Sequence, residues 1–257
     1  MDKAAIIGVG GGLGIIVAAN VLEGGNPASL LILPAMILVF GGTIGAAIAG
    51  GTMADTKAAV KALVRAFTWK PTPPGELVPV VVNLANKARR EGLLTLEDAL
   101  ADVDDDFLKR GVSLAVDGTD PEELREILEC EVDAKRASDK HAAKFFNDMG
   151  GYAPTIGIIG TVMGLVHVLE NLSEPDKLGH LIAGAFVATL WGVMTANIVW
   201  LPVGSRLARL SQLEAARMEL VIEGVLAVQA GANPRAVAQR LNSLLPEHER
   251  DLEPKAA

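Results

Sequence analysis

The sequence predicts an all-α membrane protein: four transmembrane helices, with a helical cytoplasmic domain between spans two and three. Three observations carry this prediction. Apolar residues gather in four runs, 6–22, 30–48, 152–169 and 181–201, each near the length that lets a helix cross a hydrocarbon core of roughly 30 Å. The segment between the second and third runs, 51–147, is densely charged. No stretch shows the two-residue alternation of a half-buried strand. Half of the 257 residues are apolar and the mean hydropathy is +0.35. A soluble protein could share those values, so the segregation decides, because runs this long exceed what a buried soluble helix needs. The chain divides into a transmembrane hairpin (1–50), a cytoplasmic helical domain (51–147), a second hairpin (148–203), and C-terminal cytoplasmic helices with a tail (204–257).

Charge sets the orientation. Residues 51–147 hold 14 Lys and Arg and residues 204–257 hold seven, whereas the connections 23–29 and 170–180 hold none and one, Lys177. Basic residues stay on the cytoplasmic side, so both termini and the middle domain are expected in the cytoplasm, with the chain crossing the inner membrane several times. Only Lys3 precedes span one and a second span follows closely, which reads as a retained hairpin and not a cleaved leader. A net charge of −8 gives no footprint for nucleic acid. The single cysteine, Cys130, cannot form an intrachain disulfide and suits a reducing compartment.

Span one carries Gly8, Gly10, Gly11, Gly12 and Gly14. No strand precedes this run and no Lys-Ser or Lys-Thr follows it, so it is not a phosphate loop. The spacings Gly8-xxx-Gly12 and Gly10-xxx-Gly14 predict close helix packing, and span two repeats them at Gly41-xxx-Gly45 and Ala46-xxx-Gly50. These two helices read as a packing layer with no polar residue placed for chemistry. Next, Asp55 is placed to cap a helix reaching about Trp69, and Pro71-Thr-Pro73-Pro74-Gly75 breaks the chain. A helix from about Leu77 to Glu91 stops at Gly92; Thr95-Leu-Glu-Asp98 has capping-box spacing and opens a short one. Another runs from about Asp105 to Val116. Thr119-Asp120-Pro121-Glu-Glu then supplies a cap, a first-turn proline and acids at the positive helix end. With no breaker before Met149, that helix continues into span three as one rod of about 45 residues, near 70 Å at 1.5 Å per residue. Pro202 interrupts the helix after span four, and an amphipathic stretch continues to about Ala230. Gly231-Ala-Asn233-Pro234 stops it and caps a last helix to Leu245, and the tail from Pro246 is expected to be disordered.

Catalysis is not expected. His141, His180 and His248 lie in polar surroundings and His167 in span three, none at metal-ligand spacing from Cys, Asp or Glu, so neither metal nor cofactor is predicted. An ion path through a membrane needs a group that binds and releases the ion, usually a carboxylate. Asp148 and Glu170 border span three without entering its middle. What lies at depth is hydroxyl: Thr161 and Thr189, which at 1.5 Å per residue both reach mid-membrane and can face each other. A threonine oxygen offers lone pairs to a dehydrating cation or a water chain, or it bonds its own backbone four residues back. Pro154 and Pro202 near the cytoplasmic ends of spans three and four are either hinges or simple helix ends. Trp191 and Trp200 read as packing or interface anchors. In the cytoplasmic domain, Lys87-Ala-Arg89-Arg90-Glu91 followed by Glu97-Asp98 forms a surface of both signs, suited to steering a partner, or simply a solvated turn.

These residues carry a resemblance. Ala153-Pro154-Thr-Ile-Gly-Ile-Ile-Gly160-Thr161-Val-Met-Gly164-Leu-Val-His167-Val-Leu-Glu170 resembles the third-span signature of the MotA family of flagellar stator subunits. Ala185-Phe-Val-Ala-Thr189-Leu-Trp191-Gly192 with Ala196-Asn197 and Leu201-Pro202 is similar to its fourth-span signature, Trp191 standing where many members have tyrosine. Ala88-Arg89-Arg90-Glu-Gly92-Leu-Leu-Thr-Leu96-Glu97 resembles its cytoplasmic charge motif, and Gly231-Ala-Asn-Pro234-Arg235 its C-terminal helix start. The resemblance covers essentially the whole chain. It implies a pentamer around a dimer of a single-span MotB-type partner whose aspartate carries the ion, proton or sodium, with membrane lipid around it. It implies that Arg89, Arg90, Glu97 and Asp98 face the rotor protein FliG. It also implies that Pro154 and Pro202 couple conformations and that Thr161 and Thr189 line the pathway, Thr161 leaning toward sodium. The related ExbB/TolQ-type energising subunits, typically with three spans, are the nearest alternative. A secondary transporter is a more distant one, lacking support from any mid-membrane charge or inverted repeat.

Overall fold

The computed structural model describes residues 3–69 and 72–250, apart from the side chains of Asp102 and His248. Residues 70 and 71, the start of the expected proline break, the side chain of His248 and the last seven residues of the expected tail lie outside the described residues. Among the described residues every regular element is helical: α1 (Ala4–Leu22), α2 (Leu33–Ala49), α3 (Met53–Thr68), α4 (Leu77–Glu91), α5 (Leu96–Ala99), α6 (Asp106–Val116), α7 (Pro121–Glu170), α8 (Pro175–Gln229) and α9 (Pro234–Leu244). Helices α1, α7 and α8 are long and apolar enough to cross a membrane, and α2 is an apolar helix of 17 residues. The chain packs as two compact units, Met1–Lys70 with Asp139–Leu210, and Pro71–Ser138 with Ser211–Ala257.

The first unit turns its apolar side chains outward. Ile15 is 71% exposed, Ile158 55% and Phe186 63%, and α1 has no buried residue. Its interior is built from small groups and aromatic edges. Gly157 lies so close to α8 that a Cβ there would sit 2.9 Å from the Ala188 carbonyl oxygen and 3.0 Å from the Thr189 Cα. Trp191 Nε1 donates to the Leu30 carbonyl at 2.7 Å, and the Phe40 ring stands 5.7 Å from Trp191 and 6.5 Å from Trp200. A second cluster, Ala59, Ala66, Phe146, Met149, Val203 and Leu207, fastens α3 to the lower parts of α7 and α8. Arg206 Nε donates to the Ala66 carbonyl at 2.5 Å and Arg65 pairs with Asp139 at 3.0 Å, holding the C-terminal turn of α3.

The second unit is conventional by comparison. Leu96, Leu108, Leu124, Leu128, Leu220 and Leu241 are fully buried in one apolar core shared by α4, α5, α6, α9 and the segments of α7 and α8 in this unit. Ion pairs clasp its outside: Arg125–Glu223 at 2.8 Å, Lys135–Glu214 at 2.9 Å, and Arg217 with Asp105, which also caps α6 through Leu108 N. Glu223, and after it Glu129 one turn along α7, hold the Arg125 guanidinium above its ordinary range. Gly92, at φ +92°, ends α4 in a conformation that side-chain-bearing residues rarely adopt.

Several expectations need correction. The cap of α3 is Thr52, whose hydroxyl accepts from Asp55 N while Asp55 accepts from Thr52 N, a reciprocal box; Asp55 is the third residue of the helix and not its cap. The Thr52 hydroxyl, which donates to the Asp55 carboxylate at 2.7 Å, and then the Thr52 N–H hold that carboxyl below the usual carboxylate range. The expected box at Thr95 does not form: Thr95 is already helical, at φ −75° and ψ −7°, and not extended as a cap must be, and its hydroxyl donates to the Gly92 carbonyl at 2.8 Å. Pro202 does not interrupt α8. A π-helical turn at Ala196–Trp200 precedes it, widening the helix where a proline ring would otherwise strike the carbonyl four residues back. The glycines of the first two spans are not a packing layer within this chain. A Cβ at Gly8, Gly10, Gly14, Gly41 or Gly45 would meet nothing within 4 Å, and close contact is made by Gly12 against Ile198 and Gly42 against Ile156. The small-residue seam lies between α7 and α8 instead. The tail is ordered as far as Arg250, with Glu249 accepting from Gly75 N at 3.1 Å and Arg250 Nε donating to the Leu245 carbonyl.

Candidate functional site

The seam between α7 and α8 positions the two mid-span threonines. Gly157 and Gly192 remove side chains from the crossing, so the backbones approach closely enough for hydroxyls on one helix to reach carbonyls of the other. The Thr161 hydroxyl lies 3.2 Å from its own-helix Gly157 carbonyl, 3.2 Å from the Ala185 carbonyl across the seam, and in a short hydrogen bond with the Thr189 hydroxyl. Thr189 Oγ1 in turn lies 3.1 Å from the Gly157 carbonyl. Thr161 thus makes the bond four residues back, and the two threonines meet across the helices.

Two hydroxyl protons therefore serve four oxygens. When one proton lies between the two hydroxyls, the other serves only one of the two carbonyls, and the second carbonyl keeps one lone pair, beside the one its own helix uses, for a cation or water. Both threonines are half-buried, at the margin of an outer face that carries Ile158, Val162 and Val193. No Asp, Glu, Lys or Arg occurs from residue 149 to 166 or from 178 to 205. The site is a set of acceptors without a charge of its own.

The remaining sequence candidates fall elsewhere. Pro154 lies inside α7, which continues through it, and Pro202 follows the π turn of α8. Arg89 and Arg90 end α4, and Glu97 and Asp98 sit on α5; all four side chains are exposed and, among the described residues, none has an ion-pair or hydrogen-bond partner. His167 lies 3.4 Å from Glu170 at the far end of α7. Lys144 pairs with Asp148 at 2.5 Å below the third span, which raises the lysine above its ordinary range. Two features escaped sequence reading. The Ala185 carbonyl carries no residue-type signal. Thr43 is fully buried in α2 with no hydrogen-bond partner for its hydroxyl among the described residues. Its only trace in the sequence was a hydroxyl in an otherwise apolar helix.

Comparison with known proteins fits this arrangement. Residues 99–220 match the MotA/TolQ/ExbB proton channel family and residues 6–92 match the motility protein A N-terminal region. Motility protein A of Bacillus subtilis is 38% identical over 252 residues, 97% of this chain and 93% of the relative. Chemotaxis protein PomA of Vibrio alginolyticus is 32% identical over 253 residues, covering 98% of this chain and 99% of the relative. The structure of the flagellar MotAB stator complex from Bacillus subtilis superposes with a TM-score of 0.90 at 37% identity, covering 98% of this chain and 100% of that one. That of C. jejuni MotAB gives 0.92 at 28% identity, covering 100% and 99%. The chain therefore belongs to the motility protein A family, as a flagellar stator subunit of the ion-channel-forming kind.

Proposed function

We propose that Thr161 and Thr189 form one wall of an ion path whose charged group comes from a MotB-type single-span partner. The observation that carries this reading is the four-oxygen cluster at mid-span in a region without any acid of its own. A partner aspartate beside it would carry a proton or a sodium ion, and the threonine and carbonyl oxygens would replace part of the water that a dehydrating ion loses. Ion passage then drives a pentamer of this chain around a partner dimer, Pro154 and Pro202 coupling the conformations. The exposed Arg89, Arg90, Glu97 and Asp98 meet opposite charges on the rotor protein FliG. The chain needs no cofactor and performs no enzymatic step. It crosses the inner membrane four times with both termini in the cytoplasm: α2, at 17 residues, reaches the lower limit for a span, and basic residues favour this orientation. The domains follow as 1–50, 51–147, 148–203 and 204–257. The match of residues 6–92 to the motility protein N-terminal region favours this reading over an ExbB/TolQ-type subunit.

Expression with a single-span partner in a host lacking its own stator tests the site. Thr189→Ala should cut swimming speed and ion flux roughly fivefold, the equivalent of one lost hydrogen bond of about 1 kcal/mol. Unchanged flux in the double variant Thr161→Ala/Thr189→Ala would overturn it. Varying sodium at constant pH identifies the ion.

A further inference from the structure

The turn between α4 and α5 carries a leucine that the core does not use. Among the described residues of the second unit, the large apolar side chains left exposed are Leu94 at 74%, Leu244 at 53% and Ile127 at 40%. Leu94 lies in the 3₁₀ turn Leu93–Thr95. In such a turn residues three apart stand on one face. Leu93 packs against the core and Leu96 is fully buried, so this pair anchors the turn and Leu94 points out. The start of the turn is fixed as well: Gly92 N donates to the Ala88 carbonyl at 2.9 Å, and the Thr95 hydroxyl donates to the Gly92 carbonyl. A side chain held out by its neighbours loses little freedom when a partner covers it. Arg89 and Arg90 precede it and Glu97 and Asp98 follow it, all four exposed and, among the described residues, without partners. Leu244 differs, because it lines a groove whose Arg125 and Arg136 are already paired with Glu223 and Glu219.

We propose that Leu94 is the apolar anchor of the rotor contact. It seats in an apolar socket of FliG that has an acidic group on the side of Arg89 and Arg90 and a basic group on the side of Glu97 and Asp98. The inference rests on the rotor reading of those four charges and supplies what they lack. Exposed charges steer an encounter, and salt screens them. The holding energy of an interface comes from a few side chains that exclude water at its centre, ringed by polar groups. A leucine between two signs of unpaired charge has that arrangement. The two signs also select the partner: an anionic lipid surface would attract the arginines and repel the acids beside the same leucine, whereas a protein surface can offer both complements.

The stator complex with its single-span partner, purified in detergent and titrated with FliG at low and at high salt, provides the test. Leu94→Ala should weaken binding roughly tenfold at both salt concentrations. Charge reversal at Glu97 should weaken it at low salt and much less at high salt. Leu94→Met should retain binding, and Ile127→Ala, an exposed apolar position on α7, should leave it unchanged. Melting of Leu94→Ala should match that of the unsubstituted complex, because the side chain packs against little. Unchanged binding in Leu94→Ala beside weakened binding in the double reversal of Arg89 and Glu97 would overturn the anchor and leave the rotor contact standing. Unchanged binding in both variants, or no binding by the unsubstituted complex, would overturn the rotor reading and the anchor with it. A smaller oligomer in Leu94→Ala, read by mass photometry, would give the leucine to a contact between copies of this chain and overturn the anchor alone.

Discussion

The two units of this chain obey opposite packing rules. The second buries leucines and valines in a single core and surrounds it with ion pairs. The first exposes many large apolar side chains and keeps glycine, alanine and threonine for the seam between α7 and α8. In water, apolar burial of about 25 cal/mol per Å² drives folding, and the second unit is built for that force. Among hydrocarbon chains the force between helices vanishes, and what remains is close backbone approach and the hydrogen bonds it permits. The α7–α8 seam is built for those. The candidate site exists because of this difference: only glycine at 157 and 192 lets hydroxyls reach carbonyls across two helices.

Substitutions can break or sharpen the contrast. The largest effect should come from Leu128→Ala in the second unit, where the side chain is fully buried; a loss of about 2–5 kcal/mol is expected, read as a lower melting temperature in detergent. Ile158→Ala, on the outward face of α7, should leave melting nearly unchanged. Equal losses at the two positions would erase the distinction between the units. Next, Gly192→Ala places a methyl against the Ala153 carbonyl and the Gly157 Cα. It should cost about 1–3 kcal/mol by overpacking and depress ion flux with it, whereas Gly14→Ala, in open space, should do neither. Smaller in stability but not in function is charge reversal at Glu97. The exposed side chain predicts a change within about 0.5 kcal/mol, yet swimming should weaken if the rotor is met there. Normal swimming in a double reversal of Arg89 and Glu97 would remove the rotor contact. The smallest effect should be acid sensitivity at Asp55. Its carboxyl is lowered from 3.8 by the Thr52 bonds, so its contribution is complete above that value and fades as pH falls through the lower folded-state value. Asp55→Asn should remove that acid-dependent component of melting.

Much of this was legible in the sequence, and the failures have physical causes. Hydropathy runs and basic residues are long-range sums, so the apolar helices and the long helix entering the third span could be read without a structure. Caps whose partners lie within three residues were legible at Asn233 and Asp120, where side chains accept from Arg235 N and Glu122 N. Thr95 failed because the 3₁₀ turn Leu93–Thr95 runs straight into α5, leaving Thr95 helical and not in the extended conformation of a cap. The meeting of Thr161 and Thr189 followed from depth alone, but the oxygens that complete the cluster are backbone atoms. Glycine spacing misled in the opposite sense: it marks where helices could approach, and of the glycines in α1 only Gly12 meets another helix among the described residues, at Ile198.

The π turn of α8 has a further consequence. Such a turn holds one residue more than an α-helix of equal rise. Because the wider turn absorbs the surplus in about the same rotation, the helix leaves it in nearly the phase it would have without the extra residue. Val203 and Leu207 therefore reach the cluster around Ala59 and Ala66, and Arg206 the Ala66 carbonyl. A single surplus residue thus lets a proline stand in α8 without turning the half that lines the seam against the half that grips α3.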